Sequence, residues 1–271
     1  MKPLLYSILL SLLATPCFAR KIKIAVIDTG FDFIRFESKV PICLEQSKNI
    51  ITNKGLKEDL QDNMGHGTHV AGLIDKYARY EDYCQVIVKN WEKKDPTMPP
   101  PTAGEQLNIL TKSFKYAVEQ GVDVINISGG GTIPFEDERE AVKKALDSGI
   151  IIVAASGNEK SDLSDNCNFF PACYDPRIVV AGSVDASGKI AELANYGSPI
   201  DTYAVGKDVV SLNGIMSGTS MAAAITSGII IAELAREQRD PKYKSEKVKI
   251  WTSIPEKNPA QKINKRKGSL K

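Results

Sequence analysis

The chain has 271 residues, of which 42% are hydrophobic and 25% charged, enough for one α/β domain with a continuous core or for two small domains. Its formal net charge is +2, so the overall charge gives no indication of a nucleic-acid partner or of an acidic substrate. The whole chain contains two histidines, which leaves few candidates for a catalytic imidazole or a metal site.

Residues 1–19 have the pattern of an export signal. A positive start at Lys2 is followed by an apolar run over 4–14, too short to span a bilayer, and then by small residues that end at Ala19. We expect cleavage after Ala19, export to the periplasm or the medium, and no stable membrane insertion afterwards. A retained membrane anchor is the alternative, whereas the proline before Cys17 argues against lipid attachment there.

Apolar, strand-like runs alternate with helix-like stretches along the rest of the chain. The predicted strands, several of them nearly continuous Ile and Val, are 22–27, 85–89, 122–127, 150–155 and 178–181. The predicted helices are 66–76, 105–120, 136–148 and 219–238. Gly121 and Gly149 follow two of these helices, where a residue that tolerates positive φ is favoured. The alternation predicts a three-layer α/β fold: a doubly wound, mostly parallel sheet with helices on both faces.

Four cysteines remain once residues 1–19 are removed. An even number in an exported chain favours disulfide bonds, with three pairings open. Cys167 and Cys173 lie six positions apart around Pro171 in a predicted loop, so we expect them to pair with each other and Cys43 to pair with Cys84 by default. Four free thiols in a reducing compartment are the alternative.

Two segments outside the predicted elements have a biased composition. The stretch 95–102 carries four prolines and is predicted to be a surface loop. Residues 257–271 contain six basic residues and no acidic ones, which is typical of a solvated tail, with polyanion binding as the alternative. The predicted organisation is therefore a signal over 1–19, one domain over 20–256 and a basic tail.

Three segments carry candidate chemistry, and the first is KIKIAVIDTG, in which Asp28 closes an apolar strand. A carboxylate at the carboxyl end of a buried strand stands where open α/β sheets place their active sites. Taken alone, Asp28 is better explained as the cap of a turn.

The second segment is QDNMGHGTHVAG, in which His66 begins a predicted helix. His66 and His69 are three positions apart, a spacing that could pair metal ligands on a helix. The chain has no third histidine, and the glutamate of the usual zinc-protease helix is missing, so we predict no metal site. His66 is the better candidate for a general base, and His69 is predicted to be a packed, hydrogen-bonded helix residue.

The third segment is MSGTSMAAAITSGIIIAEL, in which Ser220 lies at the start of a long helix rich in small residues. A serine in this place is most often a helix cap. The same place also directs backbone N–H groups and the positive end of the helix at any oxyanion formed beside the serine.

Together, the three segments resemble the subtilisin-like protease family (subtilases), in motif and in the order Asp, His, Ser. The resemblance covers residues 21–257 and includes SGG at 128–130 and AASGN at 154–158. It implies the subtilisin-like version of the predicted fold, in which 20–256 form the catalytic domain, and the activity of a serine endopeptidase.

The resemblance also implies roles for four residues. Ser220 would attack a peptide carbonyl, His66 would take its proton, and Asp28 would hold the other imidazole nitrogen. Asn158 matches the family's oxyanion-hole asparagine, which acts beside the backbone N–H of Ser220. Without the resemblance, Asn158 would be interpreted as a turn residue.

An extended polypeptide is the implied substrate. Ser128, Gly129 and Gly130 would form a backbone edge to which the substrate adds as a strand, with an ordinary strand-ending turn as the alternative. Gly129 stands where many relatives carry leucine, so a neighbouring subsite is expected to be more open. The residues implied on the opposite wall of the specificity pocket are Ala154, Ala155, Ser156 and Gly157.

The sequence departs from the family pattern in two places. Ala224 replaces a usual proline, which predicts a more regular helix after Ser220. Most secreted relatives carry a folding prodomain, whereas here Ile22 opens the first strand directly after the signal. We therefore expect refolding without an added domain, with a separate folding helper or inhibitor as the alternative.

The remaining expectations concern partners and competing functions. We expect a monomer that binds no nucleic acid and requires no cofactor; a structural calcium ion is left open, because no compact acidic loop has ligand spacing. The competing function is a weakly active or inactive module that binds extended peptides. A generic esterase is disfavoured, because the Gly-x-Ser-x-Gly elbow is absent around Ser220.

Overall fold

Seven strands form one parallel sheet at the centre of the structure. The computed structural model describes residues 20–79, 82–92 and 102–240. From one edge to the other the strands are β2 (Lys48–Asn49), β3 (Tyr83–Lys89), β1 (Ile22–Asp28), β4 (Val124–Ile127), β5 (Ile151–Ala155), β6 (Val179–Val184) and β7 (Thr202–Val205). Every neighbouring pair is parallel. The carboxyl ends of these strands therefore share one edge of the sheet, where α/β folds place their sites. A separate antiparallel hairpin consists of β8 (Val209–Ser211) and β9 (Gly214–Met216).

Helices cover both faces of this sheet. They are α1 (Phe33–Phe36), α2 (Lys57–Leu60), α3 (His66–Ala78), α4 (Ala103–Glu119), α5 (Glu136–Asp147) and α6 (Thr219–Arg239), with one 3₁₀ turn at Leu44–Gln46. One core cluster joins the sheet to α3 and α6, and the other joins it to α4 and α5. In β1, Ile24 and Val26 belong to the first cluster and Ala25 and Ile27 to the second, as the period of two requires. The predicted three-layer α/β fold is confirmed.

Small residues let α6 lie close against the sheet and α3. Ala222, Ala223 and Ala224 are fully buried, and a Cβ atom on Gly228 would lie 2.6 Å from the carbonyl oxygen of Ile74 in α3. A larger side chain at Gly228 would therefore force the two helices apart. The helix runs without interruption past Ala224, which confirms the regular helix expected there, and it fixes the position of Ser220 near its start.

All five predicted strands and all four predicted helices are present, with ends that differ by a few residues. β4 begins two residues later than predicted and β6 continues to Val184. Gly121 and Gly149 have positive φ angles of 59° and 82°, which confirms their role after helices. The sequence did not reveal β2, β7 or the hairpin, because these strands are short and mostly only partly buried, so no apolar run marks them.

Two disulfide bonds join the cysteines as predicted. Cys43 pairs with Cys84 in β3, and Cys167 pairs with Cys173. They close loops with sequence separations of 41 and 6, which corresponds in the chain-entropy model to about 4 and about 2 kcal/mol of stabilisation. The predicted signal, nearly all of the proline-rich loop and the basic tail lie outside the described residues. In the described part of the chain, no helix has the length and apolarity needed to cross a membrane.

Candidate active site

The candidate residues lie at the carboxyl edge of the central strands. Asp28 is the last residue of β1, and the segment 128–131 follows β4. The segment 154–158 closes β5, and β4 and β5 are neighbours in the sheet. His66 is the first residue of α3 and Ser220 the second of α6. Parallel strands and the helix starts that face them thus bring five distant parts of the chain to one edge.

Asp28 and His66 are in direct contact. Asp28 Oδ1 lies 2.8 Å from His66 Nδ1 and accepts a hydrogen bond of 2.7 Å from the backbone N–H of Thr29. The Asp28 side chain is 4% exposed, whereas 32% of the His66 side chain is exposed. A carboxylate acceptor at Nδ1 places the imidazole proton on that nitrogen, which leaves Nε2 as a base at the accessible end of the ring.

A second carboxylate shapes the start of α3. Asp62 is buried, and its oxygens accept hydrogen bonds from the backbone N–H groups of Met64, Gly65 and Thr68 and from the Thr68 hydroxyl. Burial alone would raise the pKa of Asp62, but these hydrogen bonds lower it. Asp62 therefore stays ionised and fixes the loop that presents His66.

The charge on Asp28 is the main influence on the protonation of His66. It raises the pKa of His66 above its ordinary value, against the opposite effect of burial, and the hydrogen bond to Asp28 and the charge on Asp62 raise it further. A histidine with a raised pKa holds a transferred proton more firmly, which is useful in a base that must later act as an acid.

Ser220 lies beside the segment 128–131. Its Oγ donates a hydrogen bond of 2.8 Å to the carbonyl oxygen of Ser128, and Ser128 lines the same cavity as His66. Among the described residues, no hydrogen bond joins Ser220 to His66. The hydroxyl would have to turn about its Cα–Cβ bond to reach the imidazole, a change between staggered rotamers.

A chain of buried hydrogen bonds ends at the backbone carbonyl of Ser220. Ser227 donates to Asn126 Oδ1 at 2.9 Å, and Asn126 donates to Ser128 Oγ at 3.0 Å. The Ser128 hydroxyl in turn donates to the backbone carbonyl of Ser220 at 3.0 Å. Since all these side chains are buried and partnered, they fix the distance between α6 and β4 at the position of Ser220.

Asn158 lies at the start of α6 with its amide group turned outward. Its Oδ1 accepts a hydrogen bond of 3.0 Å from the backbone N–H of Thr219. Because a backbone N–H can only donate, this contact fixes the amide orientation, and among the described residues Nδ2 donates no hydrogen bond. The Thr219 hydroxyl accepts from the N–H of Gly157 at 3.1 Å, which ties the segment 154–158 to the helix.

Gly129 and Gly130 form an exposed backbone edge. Both residues are exposed, and within the described residues neither makes a backbone–backbone hydrogen bond. The next residue, Gly131, is paired with Phe170 by hydrogen bonds of 2.9 and 2.7 Å. An extended chain could therefore add to the unpaired groups of Gly129 and Gly130.

Phe169 fills the space between the two predicted walls of the specificity pocket. A Cβ atom on Gly130 would lie 2.7 Å from Phe169 Cε1, and a Cβ atom on Gly157 would lie 2.8 Å from Phe169 Cδ2. The Phe169 ring is 5% exposed. The two glycines thus accommodate an aromatic ring of the chain itself, next to the wall that the resemblance assigned to Ala154, Ala155, Ser156 and Gly157.

His69 is held apart from this site. It is fully buried, and its Nε2 lies 3.0 Å from the carbonyl oxygen of Val209. Burial lowers the pKa of His69, although this hydrogen bond raises it in part. Within residues 20–79, 82–92 and 102–240, no group of three or more His, Cys, Asp or Glu side chains is arranged to hold a metal ion.

Sequence reasoning missed several residues that shape the site. Asp62, Asn126 and Ser227 act through hydrogen bonds to backbone or to one another, and an isolated polar residue in a strand or helix gives no signal of such contacts. Phe169 belongs to the long connection between β5 and β6, far in sequence from Gly130. Only the buried polar Asn126 within the apolar run VINI could have been noticed, since a polar residue in a buried strand is unusual.

Comparison with known proteins identifies relatives over most of the chain. The model of the subtilase family matches residues 19–260. The major intracellular serine protease of Bacillus subtilis (strain 168) is 31% identical over 242 residues, which cover 87% of this chain and 75% of that protein. Subtilisin E of the same organism is 30% identical over 214 residues, which cover 76% of this chain and 54% of that one.

Solved structures agree with these relatives. The crystal structure of a cold-adapted subtilisin-like serine proteinase matches with a TM-score of 0.63 and 26% identity, covering 82% of this chain and 77% of that one. A lanthipeptide protease matches with a TM-score of 0.67 at 21% identity, covering 84% of this chain and 78% of that one, which shows similarity of fold alone.

Proposed function

The chain belongs to the subtilase family and is a serine endopeptidase, and on that premise we propose that Asp28, His66 and Ser220 act as its catalytic triad. The observation that carries this proposal is the 2.8 Å contact between Asp28 Oδ1 and His66 Nδ1. Both residues line a cavity together with Ser128, whose carbonyl oxygen accepts the hydrogen bond from the Ser220 hydroxyl.

The first half of the proposed reaction forms an acyl-enzyme. Ser220 Oγ turns from the Ser128 carbonyl toward His66 Nε2 and attacks the carbonyl carbon of a peptide bond, while its proton passes to Nε2. Asp28 stabilises the imidazolium that results. The C–N bond then breaks as His66 gives the proton to the leaving amine, and the acyl group remains on Ser220.

The second half returns the enzyme to its starting state. Water attacks the acyl carbon, His66 takes one proton from it, and Ser220 Oγ leaves and recovers that proton. In both halves the negative oxygen would lie between Asn158 Nδ2 and the backbone N–H of Ser220, one of the first N–H groups of α6 and without an acceptor inside the helix. Every step uses this chain and water, so the proposal includes no cofactor.

We propose further that the substrate is an extended polypeptide with a small side chain next to the cleaved bond. Gly129 and Gly130 offer the unpaired backbone edge, and the side chain on the acyl side of the bond would enter the space between Gly130 and Gly157. Phe169 already occupies much of that space, so glycine, alanine or serine should fit there, and leucine or phenylalanine should not.

Replacing Phe169 by glycine should therefore widen the specificity of the enzyme. In peptides that differ only at the residue before the cleaved bond, we expect the Phe169→Gly variant to gain at least about 10-fold in kcat/KM after phenylalanine relative to alanine. Loss of a buried ring costs about 3 to 5 kcal/mol of stability, so assays belong well below the measured Tm. Phe170→Gly, a neighbouring loss of an aromatic ring, serves as the matched control and should not shift the preference. An unchanged alanine preference in active Phe169→Gly would contradict this role.

Export is part of the proposal as well. Two disulfide bonds are typical of proteins outside the reducing cytosol, and residues 1–19 have the pattern of a signal, although two of the relatives are named as intracellular. Amino-terminal sequencing of the exported protein should begin at Arg20, and recovery of the uncleaved chain from the cytosol alone would contradict export. A monomeric state and refolding without an added domain stay predictions from the sequence, with a separate folding helper or inhibitor as the alternative to the second.

One observation favours the competing function of a peptide-binding module: Ser220 donates to Ser128 and not to His66 among the described contacts. Digestion of casein by the purified protein separates the two functions. Proteolysis that is absent from Ser220→Ala but present in the control Ser217→Ala supports the peptidase. Casein that is bound but left intact would support the module.

A further inference from the structure

A cavity of about 510 Å³ extends from His66 along the exposed backbone edge to α5. Its walls are mostly apolar and include Leu107 and Leu110 of α4, and it ends at Glu138 of α5. This volume is within the range of ligand-binding pockets and exceeds what a single amino-acid side chain fills. Because the cavity adjoins both His66 and Gly129, a peptide bound at the edge would send one of its side chains into it.

Glu138 presents a buried oxygen without a partner in this cavity. The residue is 1% exposed; its Oε2 accepts a hydrogen bond of 3.1 Å from the Tyr174 hydroxyl, whereas Oε1 is buried and has no hydrogen-bond partner among the described residues. Buried polar oxygens are nearly always paired, because an unpaired one costs about 1 to 3 kcal/mol. A carboxylate oxygen that has no hydrogen-bond partner, on a residue that lines a cavity, is therefore a candidate for contact with a ligand.

Helix capping does not explain Glu138. A glutamate at the third position of a helix often accepts a hydrogen bond from the N-cap backbone N–H, as Glu105 does from Thr102 at 2.8 Å in α4. At α5 the corresponding N–H belongs to Phe135, and it donates to the Tyr174 hydroxyl at 2.9 Å. The carboxyl group of Glu138 therefore has no capping role at α5, and the residue lines the cavity.

We propose that the Glu138 pocket, the end of this cavity formed by Glu138, Leu107, Leu110 and Ile133, binds a lysine or arginine side chain of the substrate. The apolar walls would contact the methylene groups of such a side chain while its cationic end meets Oε1. Among the described residues that line the cavity, none is lysine or arginine. The inference rests on the proposed peptidase function, since the occupant is a side chain of the substrate.

The protonation of Glu138 agrees with this role. Burial raises the pKa of Glu138 to about 7, although the hydrogen bond from Tyr174 lowers it in part. At neutral pH the carboxyl group is therefore close to the midpoint of its titration, and an ammonium or guanidinium group beside Oε1 would favour the ionised form.

The test is a positional series of acetylated alanine octapeptide amides. One position at a time carries lysine or norleucine, whose side chains have nearly the same length but differ in charge. We expect lysine at one position to raise kcat/KM by about 10- to 100-fold over norleucine, the size of a hydrogen bond between charged groups. Glu138→Gln should remove this preference, whereas Glu140→Gln, an exposed glutamate of the same helix, should keep it.

Isothermal titration calorimetry measures how tightly the same peptides bind to the Ser220→Ala variant. This measurement separates the inference from the proposed function. A lysine preference in binding supports the pocket even if the wild-type protein cleaves nothing. Cleavage or binding that is equal for lysine and norleucine at every position would overturn it, as would a lysine preference that persists in folded Glu138→Gln. If Glu138→Gln does not fold, the comparison of lysine with norleucine peptides in the wild-type protein decides whether the inference holds.

Discussion

Replacing His66 by alanine is expected to lower kcat/KM by about 10⁶-fold, the size of the loss when serine peptidases of this kind lose their catalytic imidazole. Without a base at Nε2, the Ser220 hydroxyl is a poor nucleophile. The residual rate should come from binding and from the donors at Asn158 and Ser220, which do not need the imidazole. Steady-state hydrolysis of an activated peptide ester and of a peptide, with melting curves for both proteins, measures the loss.

His69→Ala is the matched control for this prediction. His69 is fully buried three residues farther along the same helix, and its Nε2 lies 3.0 Å from the carbonyl oxygen of Val209. Its loss should lower the Tm, because a buried ring and a hydrogen bond disappear, while the folded variant keeps most of its kcat/KM. Equal catalytic losses in two well-folded variants would contradict the assignment of His66 as the base.

Replacing Asp28 by asparagine should have the second largest effect, about 10⁴-fold in kcat. The amide can donate a hydrogen bond to His66 Nδ1, so the imidazole can take the tautomer in which Nε2 carries the proton and cannot accept one from Ser220. The loss of the charge should also lower the pKa of His66, because that charge is the main cause of its raised value.

The pH profile gives this prediction a second readout. The base must be neutral, so kcat/KM of the wild-type enzyme should rise with pH through an apparent pKa above the ordinary histidine value. In Asp28→Asn the acidic limb should move to lower pH. Asp137→Asn, an exposed position on α5, should leave both kcat and the profile unchanged. A fall of only a few fold in Asp28→Asn, with an unshifted limb, would contradict the role of Asp28.

Much of the fold could be predicted from the sequence because its strands are buried on both faces. Runs such as IAVI and IIVAA are apolar throughout, and α4 and α5 are followed by glycines with positive φ. Strand β7 could not be predicted in this way, since its residues are only partly buried. Its place in the sheet depends on pairing with β6, and long-range pairing leaves no mark in a short sequence window.

The candidate site likewise combines features that could be predicted from the sequence with features that could not. Asp28, His66 and Ser220 stand in local patterns, namely a strand end and two helix starts. The strand end predicted the edge of the sheet for Asp28, whereas the grouping of the three residues came from the resemblance to the subtilases. Phe169 and Glu138 could not be predicted, because their effect depends on which glycine or cavity they meet in three dimensions. The direction of the Ser220 hydroxyl toward Ser128 is likewise a matter of rotamer, which no sequence pattern specifies.

The central claim, that His66 makes Ser220 a nucleophile, is tested most directly by a fluorophosphonate probe and mass spectrometry of the intact and digested protein. The account predicts one adduct per folded molecule, located on Ser220, absent from Ser220→Ala and formed far more slowly in His66→Ala. Folded wild-type protein that takes up no probe, or an adduct on a different serine such as Ser217 or Ser227, would contradict it.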